Sequence, residues 1–253
     1  MGARAEAAVK LQPRSPGSSD TVTNGDYVML GTWNSAPLLW ETVELEKDGN
    51  KQQLWLASRY VKSMMFDAEG TSQGWADSDI KDWLNDDFKN SSGLSAYSSN
   101  GLLQLYEKFF DGPFTYYSGG QRTAIEADAE IFLLAVEEVN YIYTGDVNTQ
   151  YDDPDGMTKR MAYVFGSGEF AGAWTRSATP GDEPNPAFVV GDGGDLCTQD
   201  QYAGNFGVRP ALSLNLDSVI FKSKSSDVYA SGSADPGGYR TERTSVCTKS
   251  SPT

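Results

Sequence analysis

Short apolar runs separated by turn-forming residues dominate the first quarter of the chain. Tyr27–Trp33 is aromatic and apolar and ends at the polar Asn34. Leu38–Leu45 begins to alternate toward its end, Lys47–Asn50 is rich in turn-forming residues, and Gln53–Ala57 is again mostly apolar. This order is typical of a β-hairpin preceded by one further strand.

A helical spacing of apolar residues follows the hairpin. Segment 78–88 places its large apolar residues at offsets of 0, 3, 4 and 8, which form one face of a helix. Asp77 and Ser78 are suitable N-cap residues for it. Leu102–Phe110 repeats the helical spacing and predicts a second helix, Ile131–Val136 a buried strand, and Glu137–Ile142 a short helical turn.

Segment 144–207 differs in amino-acid composition from the rest of the chain. It is rich in Gly, Asp, Asn, Pro and Thr, with only short apolar runs such as Ala187–Val190. A largely irregular segment of this length inside a compact domain usually carries function, so the sequence places the binding surface here.

Composition excludes several classes of function. The chain of 253 residues has 20 Lys and Arg, 35 Asp and Glu, no His and two Cys, with a formal charge of −15. The absence of His excludes His-dependent triads and His metal ligands. The acidic balance argues against nucleic acid as a partner, and the longest apolar run, Ile131–Val136, is too short for membrane insertion. We expect two free thiols, Cys197 and Cys247.

Charge and low-complexity composition divide the chain into three parts. Residues 1–20 and 222–253 are rich in Ser, Pro, Gly and Thr and carry net charges near zero. We predict a disordered N-terminal tail over 1–20, one acidic domain over 21–221, and a flexible tail or linker over 222–253.

Several segments, in order, resemble a bacterial domain of unknown function found in large secreted or surface proteins. The most specific are the helix containing Trp83-Leu-Asn85 and the closing strand Gly207-Val-Arg-Pro-Ala211; the others are Leu38–Trp40, Leu54–Tyr60, Ile131–Glu138, Ala173–Ser177 and Ala187–Val190. Such domains are similar to C-type-lectin-like folds, the group that includes formylglycine-generating-enzyme-like domains and retroelement-diversified variable proteins.

The resemblance implies an α+β, C-type-lectin-like fold with twisted antiparallel sheets, two flanking helices and long irregular loops. It implies a bacterial surface or secreted protein, with an extracellular location, that binds a glycan or a protein without catalysis. The ligand face is expected over residues 175–206. Its candidate ligand-binding residues are Asp182, Glu183, Asn185, Asp192, Asp195, Gln199, Asp200, Gln201, Tyr202 and Asn205.

Alternative interpretations remain for several residues. Glu183-Pro-Asn185 is the tripeptide with which calcium-dependent lectins hold calcium and sugar, but an ordinary surface turn is favoured and no cofactor or metal is expected. Glu137 with Glu138, or Asp192 with Asp195, are the carboxylate pairs that a glycoside hydrolase would need. A structural spacer module is the other alternative.

Buried roles are predicted for several large side chains. Arg209 is expected either to form a structural ion pair, with a partner such as a carboxylate of the loop region, or to donate to the backbone at the edge of the core. The predicted core tryptophans are Trp40, Trp55, Trp83 and Trp174. Trp33 and Trp75 border loops and could reach the surface, but a surface position is the less favoured interpretation for both.

Overall fold

The architecture combines two sheets, a two-stranded ribbon and short helices. The structure, a computed structural model, describes residues 9–13, 27–69, 74–115, 121–122, 124–148, 154–164, 172–178, 187–191, 193–204, 206–215 and 219–221. The strands in this part of the chain are β1 (Val9–Pro13), β2 (Tyr27–Trp33), β3 (Ala36–Lys47), β4 (Asn50–Ala57), β5 (Lys62–Ser63), β6 (Leu103–Gln104), β7 (Phe114–Thr115), β8 (Gln121–Arg122), β9 (Ile131–Phe132), β10 (Gly172–Ala178), β11 (Ala187–Gly191), β12 (Leu196–Gln199), β13 (Gly207–Val208), β14 (Ala211–Leu214) and β15 (Val219–Phe221).

Helices are short. They are α1 (Asp79–Trp83), α2 (Lys89–Ser91), α3 (Ser95–Ser99), α4 (Val136–Thr144) and α5 (Pro154–Val164), with a 3₁₀ turn at Trp75–Asp77 and a π-helical turn at Leu84–Phe88 that joins α1 to α2. None of the helices in the described ranges is long and apolar enough to cross a bilayer.

The strands pair mainly in antiparallel fashion. Among the described residues the larger sheet has the order β15-β1-β2-β3-β4-β14-β6, with β9 also on β14, and the smaller sheet has the order β12-β11-β10-β13-β5. Only the β1–β2 and β10–β13 pairs in these two sheets are parallel. A mixed fold built on antiparallel sheets with few helices confirms the predicted α+β class.

The hairpin predicted from the alternation after Leu38 is confirmed. Strands β3 and β4 pair continuously from Trp40 opposite Ala57 to Lys47 opposite Asn50. The two turn residues between them, Asp48 and Gly49, have φ values of 53° and 80°. Two positive φ values match the right-handed twist of the flanking strands, which is why the Asp-Gly dipeptide closes this turn.

The predicted helix around residue 83 is also confirmed, with an unexpected π-helical turn. The Ser78 hydroxyl accepts a hydrogen bond from the Lys81 amide at 3.3 Å and caps α1. Asn85 then fixes the helix to β9, because its amide donates to the Ile131 carbonyl at 2.8 Å and its Oδ1 accepts from the Ile131 amide at 3.2 Å. Asn85 thus hydrogen-bonds both backbone polar groups of one strand residue.

Indole burial corrects part of the tryptophan prediction. Trp75 is 1% exposed although it borders a loop, and Trp83 is only half-buried although it was predicted to be core. The Trp75 indole N–H donates to the Ala127 carbonyl at 2.6 Å, so its polar atom has a partner and the whole ring can be buried. Trp40, Trp55 and Trp174 are buried as predicted.

Leu102–Phe110 does not form the predicted helix. Leu103 lies in strand β6 and pairs with Leu214, and Tyr106 forms an isolated bridge with Ala129. The Tyr106 ring stacks on Phe132 with centroids 4.3 Å apart. The helical spacing therefore reflects contacts of an extended segment with several different neighbours, and tertiary packing overrides the local pattern.

Segment 144–207 holds more regular structure than its composition suggested. Helix α5 and strands β10, β11 and β12 all lie in it. For these four elements the prediction of irregular structure is wrong. Helix α5 was missed because the residues on its buried face are unusual for a helix; they are Gly156, Arg160, Tyr163 and Val164. That spacing is helical, but a glycine and an arginine interrupt its apolar character.

Strand β1 lies inside the segment assigned to the N-terminal tail. It pairs with β15 through Leu11 opposite Phe221 and with β2 through Val9 opposite Val28. Val9, Leu11 and Pro13 alternate with polar residues, which is the strand signal within a Ser- and Pro-rich stretch. The domain boundaries themselves stay a prediction, and residues 222–253 lie outside the described residues.

Candidate functional site

The described part of the predicted ligand face consists of three strands of the smaller sheet and the turn that follows them. Strand β11 pairs with β10 on one side, with Trp174 opposite Val189, and with β12 on the other, with Val189 opposite Cys197. The turn at 200–204 then returns the chain toward β13.

The turn between β11 and β12 contains the first of the predicted site residues. The Gly191 amide donates to the Asp195 carbonyl at 2.8 Å, and the Gly194 amide donates to the Gly191 carbonyl at 2.9 Å. Asp195 is half-buried. Burial, followed by the negative charge of Asp195, raises the pKa of the nearby Cys197 thiol, so this cysteine is a poor nucleophile at neutral pH. Cys197 is a free thiol among the described residues, and Cys247 lies outside them.

The second group of predicted residues lies together in the 200–204 turn. Gln201 is only 2% exposed, and its carbonyl accepts hydrogen bonds from the amides of Phe66 at 2.7 Å and Asp67 at 3.1 Å. The neighbouring Tyr202 is 54% exposed. Its hydroxyl hydrogen-bonds to the Asp200 carboxylate, and this bond, together with the carboxylate charge, raises the pKa of the phenol. Gln201 therefore anchors a turn that presents Tyr202.

Met65 lies beside this turn, and the sequence analysis missed it. The Ser63 hydroxyl donates to the Gly204 carbonyl at 2.7 Å, and a Cβ at Gly204 would lie 3.7 Å from the Met65 terminal methyl. Met65 is 40% exposed. We call the surface formed by Met65, Asp200, Tyr202 and Gly204 the Tyr202 patch. Long-range contacts between segment 63–67 and the 200–204 turn bring Met65 to the other three residues, so no local sequence signal predicts Met65 as part of the patch.

An aromatic cluster continues from the patch along β5. The Lys62 ammonium lies 4.7 Å from the Trp83 ring centroid, and Trp83 meets Trp33 edge-on at 5.7 Å. Both indoles are half-buried, and Lys62 is exposed. β5 is the terminal strand of the smaller sheet within the described ranges, so this cluster and the Tyr202 patch border the same edge.

The described residues include half of the predicted ligand-binding residues. Asp200, Gln201 and Tyr202 lie in one turn. Asp195 directly precedes β12, and Gln199 is the last residue of that strand. The other five lie outside the described residues; they are Asp182, Glu183, Asn185, Asp192 and Asn205.

The acidic pair considered for hydrolysis is buried in the first turn of α4. Glu137 and Glu138 are each 1% exposed. Both Glu138 oxygens are engaged: Oε1 accepts from the Tyr106 hydroxyl at 2.6 Å, and Oε2 accepts from the Ala135 amide at 2.9 Å. Arg176 pairs with the same carboxylate at 2.6 Å. This geometry makes Glu138 a structural counter-ion. The alternative pair includes Asp192, which lies outside the described residues.

Arg209 forms the structural ion pair that was predicted, but with a different partner. Its Nη2 lies 3.4 Å from the Glu41 carboxylate, which belongs to β3 and not to the loop region. Its Nε donates to the Ala57 carbonyl at 2.7 Å and its Nη1 to the Tyr163 carbonyl at 2.6 Å. The arginine of the Gly-Val-Arg-Pro-Ala strand therefore ties β4 to α5.

Metal ligands were also sought in this part of the chain. Within the described ranges no group of three or more Asp, Glu, Cys or His side chains is arranged to hold a metal ion. The Glu183-Pro-Asn185 tripeptide lies outside those ranges.

Comparison with known proteins identifies the family. The searches of curated proteins and of solved structures returned no match. A family described as Domain of unknown function (DUF6273) matches residues 51–216, about two thirds of the chain. The match includes the Trp-Leu-Asn helix, the buried Arg176 and Arg209 and the Tyr202 patch. The chain therefore belongs to the DUF6273 family.

Proposed function

We propose that this protein is a non-enzymatic recognition domain that binds a protein ligand through the Tyr202 patch and the adjoining 175–206 surface. The observation that carries the proposal is the exposure of Tyr202 and Met65 on two segments that hydrogen-bond to each other. Tyrosine and methionine are enriched at protein interfaces relative to other protein surfaces, and Tyr presents a large rigid ring at low entropic cost.

The geometry supports the proposal because the 200–204 turn is held by a buried residue and presents an exposed aromatic one. Gln201 is buried and its carbonyl accepts two backbone hydrogen bonds, whereas the next residue, Tyr202, projects its ring. A side chain presented from a rigid turn loses little further entropy on binding, which favours affinity. The spacer alternative predicts a polar, featureless surface here, and the exposed Tyr and Met argue against it.

The finer fold assignment is part of the same proposal. We propose a C-type-lectin-like arrangement, in a bacterial surface or secreted protein, with a ligand face formed by the segments that join β10, β11, β12 and β13. Antiparallel sheets flanked by helices support this arrangement. We propose that recognition needs no metal or other cofactor and involves no membrane insertion. We also propose that nucleic acid is not a partner, since the chain carries a formal charge of −15.

A binding screen with matched variants tests the proposal. The wild type and two variants would be screened against arrays of bacterial and host surface proteins and of glycans. The double variant Met65→Ser/Tyr202→Ser removes the apolar groups of the patch. Leu105→Ser is the control, because Leu105 is 61% exposed but lies on the segment that pairs with β14 and Ala129.

The expected result is a protein ligand that binds the wild type and Leu105→Ser equally but binds the double variant at least about tenfold more weakly, as for the loss of a contact hot spot. A glycan that binds the three proteins in the same pattern would support the Tyr202 patch as the binding surface and would show that the ligand is a glycan and not a protein. Ligands that bind all three proteins equally would overturn the Tyr202 patch as the binding surface, provided that the three proteins have the same melting temperature.

A further inference from the structure

The larger sheet ends in a short strand whose outer edge carries an exposed leucine. Within the described ranges β6 is the last strand on that side of the sheet, and the chain runs on from it to the bridge between Tyr106 and Ala129. Leu105, which lies between β6 and the bridge, is 61% exposed, more than any other large apolar residue of those ranges. This edge belongs to the larger sheet, whereas the Tyr202 patch borders the smaller one, so it is independent of the proposed function.

Every second residue of segment 102–106 turns its peptide groups into the sheet. The Leu102 carbonyl accepts a hydrogen bond from the Asn215 amide at 2.8 Å. Tyr106 exchanges two hydrogen bonds with Ala129, at 3.0 and 3.4 Å. The middle residue of the segment pairs with β14 in the same alternation. These residues therefore hold the segment against β14 and the chain before β9.

Leu103 and Leu105 turn their peptide groups the opposite way, because successive peptide groups of an extended chain alternate in direction. Within the described part of the chain, these outward N–H and C=O groups form no hydrogen bond. Unpaired backbone groups at a sheet edge are a template for pairing with another strand. The edge therefore offers a donor and an acceptor at each of these leucines.

Segment 102–106 also lacks the residues that usually protect an edge strand. Its sequence, Leu102-Leu-Gln-Leu-Tyr106, has no charged residue and no proline, which commonly block pairing at an edge. The first charged residue after it is Glu107. Like charges directly opposite each other oppose strand pairing, so an uncharged segment is where two copies of a chain with a formal charge of −15 can pair.

The bonding pattern of this edge is self-complementary about Gln104. A two-fold axis at this residue would place Leu103 opposite Leu105 of a second copy, and Leu105 opposite its Leu103. Both pairs would be of the hydrogen-bonded kind, so the outward donors and acceptors of both copies would be satisfied. Each exposed Leu105 would pack beside the Leu103 of the other copy. Glu107 would face Gly101 of the other copy, so no like charges would be opposed.

We propose that two copies of this chain pair edge to edge through segment 102–106 and continue the larger sheet across a two-fold axis. So short an edge buries less than the roughly 1,200 Å² of a standard interface, so we expect a weak dimer with a dissociation constant of about 10–100 µM. The charge of −15 on each copy adds long-range repulsion. Association should therefore strengthen as salt screens this repulsion.

Sedimentation velocity of the full chain tests the pairing, over concentrations from about 5 to about 500 µM at about 0.05 M and about 0.5 M salt. We expect a sedimentation coefficient that rises with concentration to the value of a dimer, and a dissociation constant at least about threefold lower at the higher salt. In ¹H–¹⁵N NMR spectra the amide signals of Leu103 and Leu105 should shift with protein concentration, and that of Tyr202 should not.

Two variants of equal charge separate this edge from general repulsion. Leu105→Glu should weaken the dimer at least about tenfold, because it places carboxylates beside the apolar contact of each copy. Met161→Glu is the matched control, since Met161 is 42% exposed on α5 and the change in net charge is the same. It should dimerise within about twofold of the wild type. Both variants should melt as the wild type does, because the side chains that they replace are exposed.

Three results would overturn the proposal. They are a monomer at every concentration, equal dimerisation of Leu105→Glu and Met161→Glu, and growth beyond the dimer. The Met65→Ser/Tyr202→Ser variant should dimerise as the wild type does, so failure of either proposal is distinguishable from failure of the other. The binding screen is made far below the dissociation constant of the dimer, so Leu105→Ser remains a valid control there.

Discussion

Arg176 and Glu138 form a bidentate ion pair inside the domain, with Nη1–Oε2 and Nη2–Oε1 distances both of 2.6 Å. The Arg176 side chain also donates to the carbonyls of Leu133 at 2.8 Å and Ile125 at 3.0 Å. It therefore links β10, the start of α4 and the segment before β9. Burial disfavours its charge, but the charge and hydrogen bonds of Glu138 outweigh burial and raise the pKa of Arg176 above its ordinary value.

Removal of either partner should destabilise the fold strongly. Glu138→Gln leaves the Arg176 charge without its counter-ion. Arg176→Met leaves the buried carboxylate without its counter-ion and removes the donor to the Leu133 and Ile125 carbonyls. Each change should lower the free energy of unfolding by about 3–5 kcal/mol, as for other broken buried pairs. Urea denaturation measures this loss. Lys51→Met, which removes an exposed pair with Glu44, is the control and should have little effect. Equal effects of the buried and exposed changes would contradict a structural role for the pair.

Two buried tyrosines predict a loss of stability at alkaline pH. Burial raises the pKa of Tyr106 and of Tyr163 well above the value near 10 that an unfolded tyrosine has. Above about pH 10 the unfolded chain releases protons that the folded chain keeps, so the free energy of unfolding falls as pH rises. Each tyrosine contributes about 1.4 kcal/mol per pH unit until it ionises in the folded state.

Equilibrium unfolding at a series of pH values between about 9 and 11 measures this slope. Tyr163→Phe removes one titrating group while keeping the buried ring, and its total loss of unfolding free energy between about pH 9 and pH 11 should be smaller by about 1.4 kcal/mol. The same slope in the variant and in the wild type would show that Tyr163 titrates equally in both states.

Adjacent glycines in the β11–β12 turn should respond differently to alanine. Gly194 has φ of +81°, and a Cβ there would collide with the Met157 carbonyl of α5. Its own carbonyl accepts a hydrogen bond from Arg160 at 2.9 Å, so any shift of the turn also disturbs that buried arginine. Gly194→Ala should cost about 1–3 kcal/mol.

Gly193→Ala is the matched control, since the nearest atom to its Cβ would be an Asp195 oxygen at 3.7 Å, an ordinary contact. It should change stability by less than about 0.5 kcal/mol. Thermal unfolding of both variants measures the difference. Similar melting temperatures for the two would mean that the turn and α5 are not in close contact.

Elements that depend on local pattern could be predicted from the sequence, and elements that depend on distant partners could not. The β3–β4 hairpin follows from alternation and the Asp48-Gly49 turn, and α1 follows from the spacing of Ile80 and Leu84. Helix α5 was missed because its inner face includes Arg160, whose burial depends on Gly194, 34 residues away.

The candidate surface divides in the same way. Tyr202 and Asp200 were predicted from a polar and aromatic segment, and the turn brings them together. Met65 could not be predicted, since it joins the patch through long-range contacts such as those of Ser63 with Gly204 and of Phe66 with Gln201. The partner of Arg209 was missed for a similar reason: Glu41 lies 168 positions away in the sequence.

The stability of the protein should not depend on calcium. Glu183-Pro-Asn185 matches a calcium–sugar tripeptide, but an ordinary turn is favoured for it, and the tripeptide lies outside the described residues. A cation that binds only the folded state would add about 2.7 kcal/mol at 100 times its dissociation constant, which raises the melting temperature by several degrees. We therefore expect the full chain to melt at the same temperature in millimolar calcium and in chelator. A rise that Asn185→Ala abolishes would replace the metal-free proposal with a calcium-dependent site at the tripeptide. A rise that survives this change but is lost in Asp146→Asn would place the ion at the end of α4 instead.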